Sequence, residues 1–244
     1  MIFLQDFSGA TYDKFLYETF RFDNLNKYVT VTVPDISDDT FVSLWFYPTS
    51  TQNSALLSSR YVTGANNYGW SVRLNDTGTV SLLRGQGTGS LDEVITTETY
   101  EEDKWNHIAF SVDSVTGNVE HILNEVTGSG TVTTGSVVFD AGTTNTFLGT
   151  DEGESNQYQG DMNQPIIGDS TLTEASLDAL SFGRLAIPYA ALPLEILTNA
   201  KLTYYMNRID SSLTDITATS VEGEGSGGIT ITGTVIEYVS EETL

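Results

Sequence analysis

The chain has 244 residues, with 33 acidic and 10 basic side chains and a formal net charge of −23. A field of this sign repels nucleic acid and anionic membranes, so we expect neither as a partner, and it favours solubility and cation binding. The sequence contains no cysteine, which excludes disulfides and thiolate metal sites. The first residues show no basic stretch ahead of an apolar one, and no apolar run reaches the ~18 residues of a membrane span, so we expect neither a secretion signal nor membrane insertion.

Short apolar or alternating segments follow one another from Phe20 onward with turn residues between them, which predicts a series of strands. Phe41–Tyr47 is a near-continuous apolar run, as is typical of a central buried strand. Gly69–Leu74, the turn Asn75–Gly78 and Thr79–Arg84 together predict a hairpin. Further strands are predicted within Phe20–Val33 and at Ala55–Tyr61, Trp105–Asp113, Val119–Leu123, Thr131–Phe139 and Thr146–Gly149.

Two helices are predicted toward the C-terminal end. The first, Thr173–Leu180, begins with Thr173 as its N-cap. The second, Leu194–Arg208, places apolar residues along one face. A last strand is predicted at Ile229–Val239. Many strands with only two helices and frequent turns indicate an all-β sandwich.

Several segments occur in an order that is found in one family of β-sandwiches. They are FDNLNKYVTV, FVSLWFYP, ALLSSRY, GWSVRLNDTGTVSLL, WNHIAFSVDSVTGNVEHILNE and TNTFLGTDEGESNQYQGDM. In this order they resemble the laminin-G-like and pentraxin-like jelly rolls of the concanavalin A-like lectin superfamily. The resemblance implies an all-β fold, a two-sheet antiparallel jelly-roll β-sandwich with one or two short helices and a C-terminal extension. It divides the chain into an N-terminal docking segment (1–19), the jelly-roll domain (20–180) and the C-terminal extension, a helix plus a strand (181–244).

The resemblance also implies a calcium site. In pentraxin-like members an acidic loop after a Leu-Gly strand and an Asp-Asn pair in an earlier hairpin bind calcium, which takes six to eight oxygen ligands. The corresponding positions here are Asn66, Asn67, Asp151, Glu152 and Glu154. The chain departs from the family at Asn66, where the family has Asp, and at Asn163–Gln164, where it has an acidic pair. These departures lower the charge of the site, and a solvated acidic loop without metal is the alternative.

Three aromatic residues neighbour the predicted calcium positions in the sequence: Tyr68, Trp70 and Tyr158. An aromatic face suits the C–H side of a sugar ring, so these residues are candidates for carbohydrate binding. Packing of the same rings inside the sandwich is the alternative.

The sequence shows no sign of catalytic residues. A jelly-roll glucanase carries alternating carboxylates on one strand, which puts a nucleophile and an acid on the same face. No Glu-x-Asp-x-Glu run is present, and Glu98, Glu101 and Glu102 fall in a polar loop. His107 is expected to be a structural residue of its strand.

These features favour a non-enzymatic structural protein of a phage virion: a capsid decoration, head-fibre or tail component built on a lectin-like jelly roll. Its expected partners are other virion proteins, in a homo-oligomer, and host-surface glycans contacted by exposed loops. Its expected location is the virion. One alternative is a soluble calcium-dependent carbohydrate-binding lectin, and a second is an unorthodox glycan hydrolase.

Overall fold

The structure is a computed structural model that describes residues 17–22, 28–32, 38–137, 145–151, 156–181, 194–203, 229–232 and 236–239. Within these ranges the chain forms two antiparallel sheets packed face to face, a separate two-stranded hairpin and two short helices. The predicted two-sheet antiparallel sandwich with one or two short helices is therefore confirmed.

The order of strands across each sheet is as follows. The first sheet runs through β12 (Val126–Thr131), β11 (Asn118–Leu123), β10 (Asn106–Val112), β3 (Thr40–Pro48), β14 (Gly160–Gly168), β1 (Tyr17–Phe22) and β17 (Ile236–Val239), and β15 (Ala200–Thr203) also pairs with β14. The second sheet runs through β16 (Ile229–Thr232), β2 (Tyr28–Thr32), β13 (Asn145–Leu148), β4 (Ser54–Ser58), β7 (Trp70–Leu74), β8 (Val80–Gly85) and β9 (Leu91–Ile95). The separate hairpin contains β5 (Tyr61–Thr63) and β6 (Asn66–Tyr68), and the helices are α1 (Glu174–Ser181) and α2 (Leu194–Asn199).

The apolar run predicted for a central strand is β3, which lies between β10 and β14. Its Val42, Leu44 and Phe46 enter the main core between the two sheets. Phe41 faces the other way, into a second cluster with Leu177 of α1 and residues of α2. Because side chains alternate between the faces of a strand, covering both faces requires apolar residues at nearly every position, and the prediction is confirmed.

The strand β14 has two different partners along one side. β1 pairs with its first part, at Gly160–Met162, and β15 pairs with its last part, at Ile166–Gly168. Between them Gln164 has a φ of 48° and Pro165 has no amide hydrogen, so the register with β3 shifts at this point.

The described part of the C-terminal extension joins both sheets. β16 pairs with β2 in one sheet, and β17 pairs with β1 in the other. The boundary expected between residues 19 and 20 falls inside β1, and residues 1–16 lie outside the described residues. The extension is thus part of the sandwich wherever the structure describes it.

Two strand predictions were wrong. The strand expected at Thr131–Phe139 is β12, which ends at Thr131. Asn124 and Glu125 both have positive φ, 51° and 71°, as a two-residue type I′ turn requires, so β12 starts directly after β11. The strand expected at Ile229–Val239 is divided into β16 and β17, which belong to different sheets.

One helix prediction is confirmed and the other was too long. α1 begins after Thr173, whose Oγ1 accepts a hydrogen bond from the Ser176 amide at 3.2 Å, as expected for an N-cap. α2 ends at Asn199 rather than Arg208, because residues from Ala200 onward pair with β14 as β15.

Candidate binding site

The asparagines predicted as calcium ligands lie on the β5–β6 hairpin, at the end of the sandwich where β7 begins. The hairpin is held against the turn between β8 and β9 by backbone hydrogen bonds. The Asn67 amide donates to the Thr88 carbonyl, and the Gly87 amide donates to the Asn67 carbonyl, both at 2.8 Å. The hairpin is therefore fixed to the larger sheet through Asn67.

Two glycines make this close approach possible. Gly69 has a φ of 68°, and a Cβ there would lie 2.1 Å from the Ser59 carbonyl oxygen. A Cβ at Gly85 would lie 2.5 Å from the Asn67 carbonyl carbon. Both distances are far below van der Waals contact, so the sequence must have glycine where the hairpin meets β4 and β8.

Arg60, which directly precedes β5, reaches the Asn67 side chain. Its Nη2 donates a hydrogen bond to Asn67 Oδ1 at 2.6 Å. Its backbone amide donates to Ser58 Oγ at 3.2 Å, which fixes the start of the side chain. On the other face of the amide, Asn67 Nδ2 donates to the Gly89 carbonyl at 3.3 Å.

Asp151 lies just after β13, and its charge acts on Arg60. The loop after β13 is anchored at its base, where the Ala55 amide donates to the Asn156 carbonyl and the Tyr158 amide donates to the Gly149 carbonyl, both at 2.9 Å. The Asn156 side-chain amide donates to Asp151 Oδ2. Arg60, Asn66, Asn67, Tyr68 and Asp151 are half-buried, and we call these five residues the hairpin cluster.

The charge of Asp151 acts on Arg60. Burial lowers the pKa of Arg60 from its ordinary value, the neighbouring positive charge of Arg73 lowers it further, and Asp151 raises it. Arg73 does not share the contact with Asn67, since its Nη2 donates to Asn53 Oδ1 at 3.0 Å. The hairpin cluster thus contains one guanidinium, one described carboxylate and two side-chain amides.

The described residues of the predicted calcium set do not fit a calcium ion. Asn67 Oδ1 accepts from a guanidinium, and Asp151 supplies the one carboxylate, although calcium takes six to eight oxygens. Among the described residues no group of three or more His, Cys, Asp and Glu side chains could hold a metal. Glu152 and Glu154 lie outside the described residues, so the full predicted set stays a prediction.

Of the three aromatic candidates, Tyr68 is the one with an exposed part. The Asn66 side-chain amide donates to its hydroxyl at 3.4 Å. Trp70 is only 3% exposed and belongs to the main core. Tyr158 is fully buried, donates its hydroxyl to the Asp161 carbonyl at 2.9 Å and packs edge-on against Phe22. The sugar-stacking prediction is therefore wrong for Trp70 and Tyr158, because neither ring has a face open to a ligand.

The glutamates of the polar loop are engaged in local contacts. Glu101 pairs with Lys104, and Glu102 accepts hydrogen bonds from the amide and hydroxyl of Thr51 at 2.6 and 2.5 Å. Glu98 accepts from the hydroxyl of Thr97 at 2.8 Å. They lie in the irregular segment between β9 and β10, as expected for the polar loop.

Arg60 is the member of the hairpin cluster that the sequence did not reveal. Its segment, ALLSSRY, was identified only as a strand. A signal was nevertheless present, because the chain has only 10 basic residues and one of them directly precedes the hairpin that carries the predicted metal ligands.

Within the described ranges, neither helix has the length and apolar character that a membrane crossing requires.

The chain was compared with sequence models of protein families, with curated proteins and with solved structures. A sequence model described as the concanavalin A-like lectin/glucanases superfamily matches residues 22–178. No match was found among curated proteins.

Among solved structures, the chain is similar to a Bacteroides ovatus protein described as a candidate carbohydrate-binding protein. The identity is 15% and the TM-score 0.57, covering 93% of this chain and 58% of that chain. It is also similar to a variant of the NanB sialidase of Streptococcus pneumoniae, with 16% identity, a TM-score of 0.52, and coverage of 70% and 28%. The mouse laminin α1 domains LG4–5 show 10% identity, a TM-score of 0.51, and coverage of 68% and 46%. The chain spans less than two thirds of each of these proteins, and similarity at such identities shows the fold alone.

Proposed function

Because the chain belongs to the concanavalin A-like lectin/glucanase superfamily, we propose that it is a non-enzymatic protein that binds glycans with its hairpin cluster. The observation that carries the proposal is the set of half-buried polar groups on and beside the β5–β6 hairpin. Amides and a carboxylate exchange hydrogen bonds with vicinal hydroxyl groups, and the partly exposed ring of Tyr68 offers an apolar surface beside them. A rigid backbone supports these groups, because the hairpin is tied to β8 and β9.

A glycan array tests this proposal. We expect the purified chain to bind a subset of glycans and Tyr68→Ala to weaken that binding about tenfold or more, which corresponds to about 1.4 kcal/mol. Tyr47 is the matched control, since it is also a half-buried tyrosine but lies on the other sheet, where it packs against Trp105. Equal losses in Tyr68→Ala and Tyr47→Ala, or no binding to any glycan, would contradict the proposal.

The non-enzymatic part of the proposal is supported by the missing pair of carboxylates. The sequence has no Glu-x-Asp-x-Glu run, and the loop glutamates are occupied with Thr51, Thr97 and Lys104. If the chain is instead a glycan hydrolase, incubation with a bound glycan will release reducing sugar, and Glu98→Gln or Glu102→Gln will abolish the release.

The finer proposal is that this glycan-binding chain is a structural component of a phage virion, as a capsid decoration, head-fibre or tail protein. Its support comes from the sequence: a strongly acidic chain without cysteine, rich in Thr, Ser, Gly and Asn, with no catalytic carboxylate set. Such a component is expected to form a closed homo-oligomer. Light scattering coupled to size exclusion measures the mass of the purified chain, and a stable monomer would count against the virion role.

A further inference from the structure

The place predicted for calcium already contains a cation that belongs to the protein. Asn67 Oδ1 is one of the oxygens that the calcium prediction requires, and it accepts a 2.6 Å hydrogen bond from Arg60 Nη2. Asp151, the described carboxylate of the predicted set, is near enough to influence the pKa of Arg60. The guanidinium therefore already occupies an oxygen that a calcium ion would have used.

We propose that Arg60 takes the place of calcium at Asn67, where its charged hydrogen bond holds the β5–β6 hairpin, so that the hairpin is fixed without a metal. A guanidinium is suited to this role because it stays charged and donates a directed hydrogen bond to an amide oxygen. This role does not depend on glycan binding. We also expect glycan binding without metal, and this expectation rests on the proposed function.

Arg60 is half-buried, and burial disfavours its charge. Its backbone amide is bonded to Ser58 Oγ at 3.2 Å, so the side chain starts from a fixed position. A buried charge is costly unless it is paired, and removing one partner of such a pair leaves the other uncompensated. Without Arg60, Asn67 Oδ1 loses its charged donor and Asp151 loses a nearby positive charge.

Arg73 provides a matched control. It is also a half-buried arginine, on the neighbouring strand β7, and it donates to Asn53 Oδ1 at 3.0 Å rather than to the hairpin cluster. Arg60→Met and Arg73→Met each remove one positive charge and keep an unbranched apolar side chain. A difference between them therefore reports the contact with Asn67 rather than the change in net charge.

The test measures melting temperature and amide hydrogen exchange of the full chain without glycan, once with calcium chloride and once with a chelator. We expect the original chain to melt at the same temperature in both. Arg60→Met is expected to melt about 3 °C or more below Arg73→Met, because the hydrogen bond from Arg60 to Asn67 is part-buried whereas the one from Arg73 to Asn53 is exposed. The amides of Asn67 and Gly87, which fix the hairpin, are expected to exchange faster in Arg60→Met only.

Two results would overturn the proposal. One is a calcium-dependent rise in the melting temperature of the original chain that the chelator reverses. The other is equal stability and equal exchange in Arg60→Met and Arg73→Met. If Arg60→Met does not fold, Arg60→Lys, which keeps the charge and loses the fork, replaces it and is expected to show the same loss of protection at Asn67 and Gly87. These readouts need no glycan, so failure of glycan binding leaves them interpretable.

Discussion

His107 lies on β10, on the face of the first sheet turned away from the main core, and is 1% exposed. Its Nε2 is 2.8 Å from Ser43 Oγ, and its ring packs against Trp45 with centroids 5.0 Å apart. Burial lowers the pKa of His107 to about 3, because the charged imidazolium would lose its hydration. The residue is therefore neutral at ordinary pH, as expected for a structural histidine.

This histidine makes stability depend on pH. Between pH 6.5 and about 3 the unfolded chain binds a proton at His107 and the folded chain does not, so stability falls as the pH falls below 6.5. The loss approaches about 1.4 kcal/mol per pH unit for one such group. The chain has two histidines, and burial also lowers the pKa of His121. We expect His107→Gln to reduce the slope of unfolding free energy between pH 6.5 and 5.5 by about half, as measured by urea unfolding.

His121→Gln is the matched variant in the same series, since His121 also lies in a strand and is buried. A slope that is unchanged in His107→Gln would mean that His107 takes up its proton in the folded chain as readily as in the unfolded one.

Single residues were predictable where strand alternation determines their direction. Trp70, Val72 and Leu74 alternate with Ser71 and Arg73, a pattern that favours the packing alternative for Trp70 over the predicted contact with a sugar. The role of Arg60 was not predictable in this way. It depends on a hydrogen bond to Asn67 and on the charge of Asp151, which is distant in the sequence, and one sequence without its fold does not contain that proximity.

The position of the β5–β6 hairpin depends on its close approach to β4 and β8, where glycines leave no side chain in between. Asn67 lies against Gly85, the last residue of β8, and its backbone is hydrogen-bonded to Gly87 and Thr88 in the turn that follows. Its turn has Gly64 with a φ of 59° at the first central position, where a type II′ turn takes glycine. The hairpin is thus positioned by glycines as much as by its polar residues.

Gly85→Ala tests this arrangement. The new Cβ would lie 2.5–2.6 Å from backbone atoms of Asn67 and Tyr68, so the hairpin must move away from β8. Overpacking of this kind costs about 1–3 kcal/mol, and we expect a matching loss in urea-unfolding free energy together with weaker glycan binding. Gly89→Ala is the control, because its Cβ meets only the Ala65 carbonyl oxygen, at 3.3 Å. Equal effects of the two substitutions would show that the close approach at Gly85 is unimportant.

Elements near the C-terminal end were harder to predict than those of the central sandwich. The periodicity of Leu194–Arg208 favours a helix, but the last part of β14 has an edge that β1 does not cover, and Ala200–Thr203 pairs with it instead. Backbone hydrogen bonds at an open sheet edge outweigh a small helical preference. β3, β7 and β8 were predictable because their apolar patterns agree with their place in the fold.

At the scale of the whole molecule, two C-terminal strands form the outermost strand of each sheet at one side of the sandwich. β16 covers β2 and β17 covers β1, so the end of the chain protects the strands near its beginning. An uncovered strand edge offers unpaired amides and carbonyls to other chains. The jelly-roll region predicted from the sequence, 20–180, therefore lacks the strands that cover these edges.

Truncation tests this dependence. We expect a chain ending at residue 228, without β16 and β17, to be less stable and to aggregate during size-exclusion chromatography. A chain ending at residue 239 keeps both strands and serves as the control. If both truncated chains run as the full chain does and unfold at the same urea concentration, the C-terminal strands are dispensable.

The most direct test of glycan binding by the hairpin cluster is a titration of the isotope-labelled chain with a glycan selected on the array, in the presence of a chelator, followed by amide NMR. We expect the largest shift changes at Arg60, Asn66, Asn67, Tyr68 and Asp151, with the turn Asn75–Thr79 at the far end of β7 unchanged. Shift changes centred elsewhere, or binding that appears only when calcium replaces the chelator, would contradict the account.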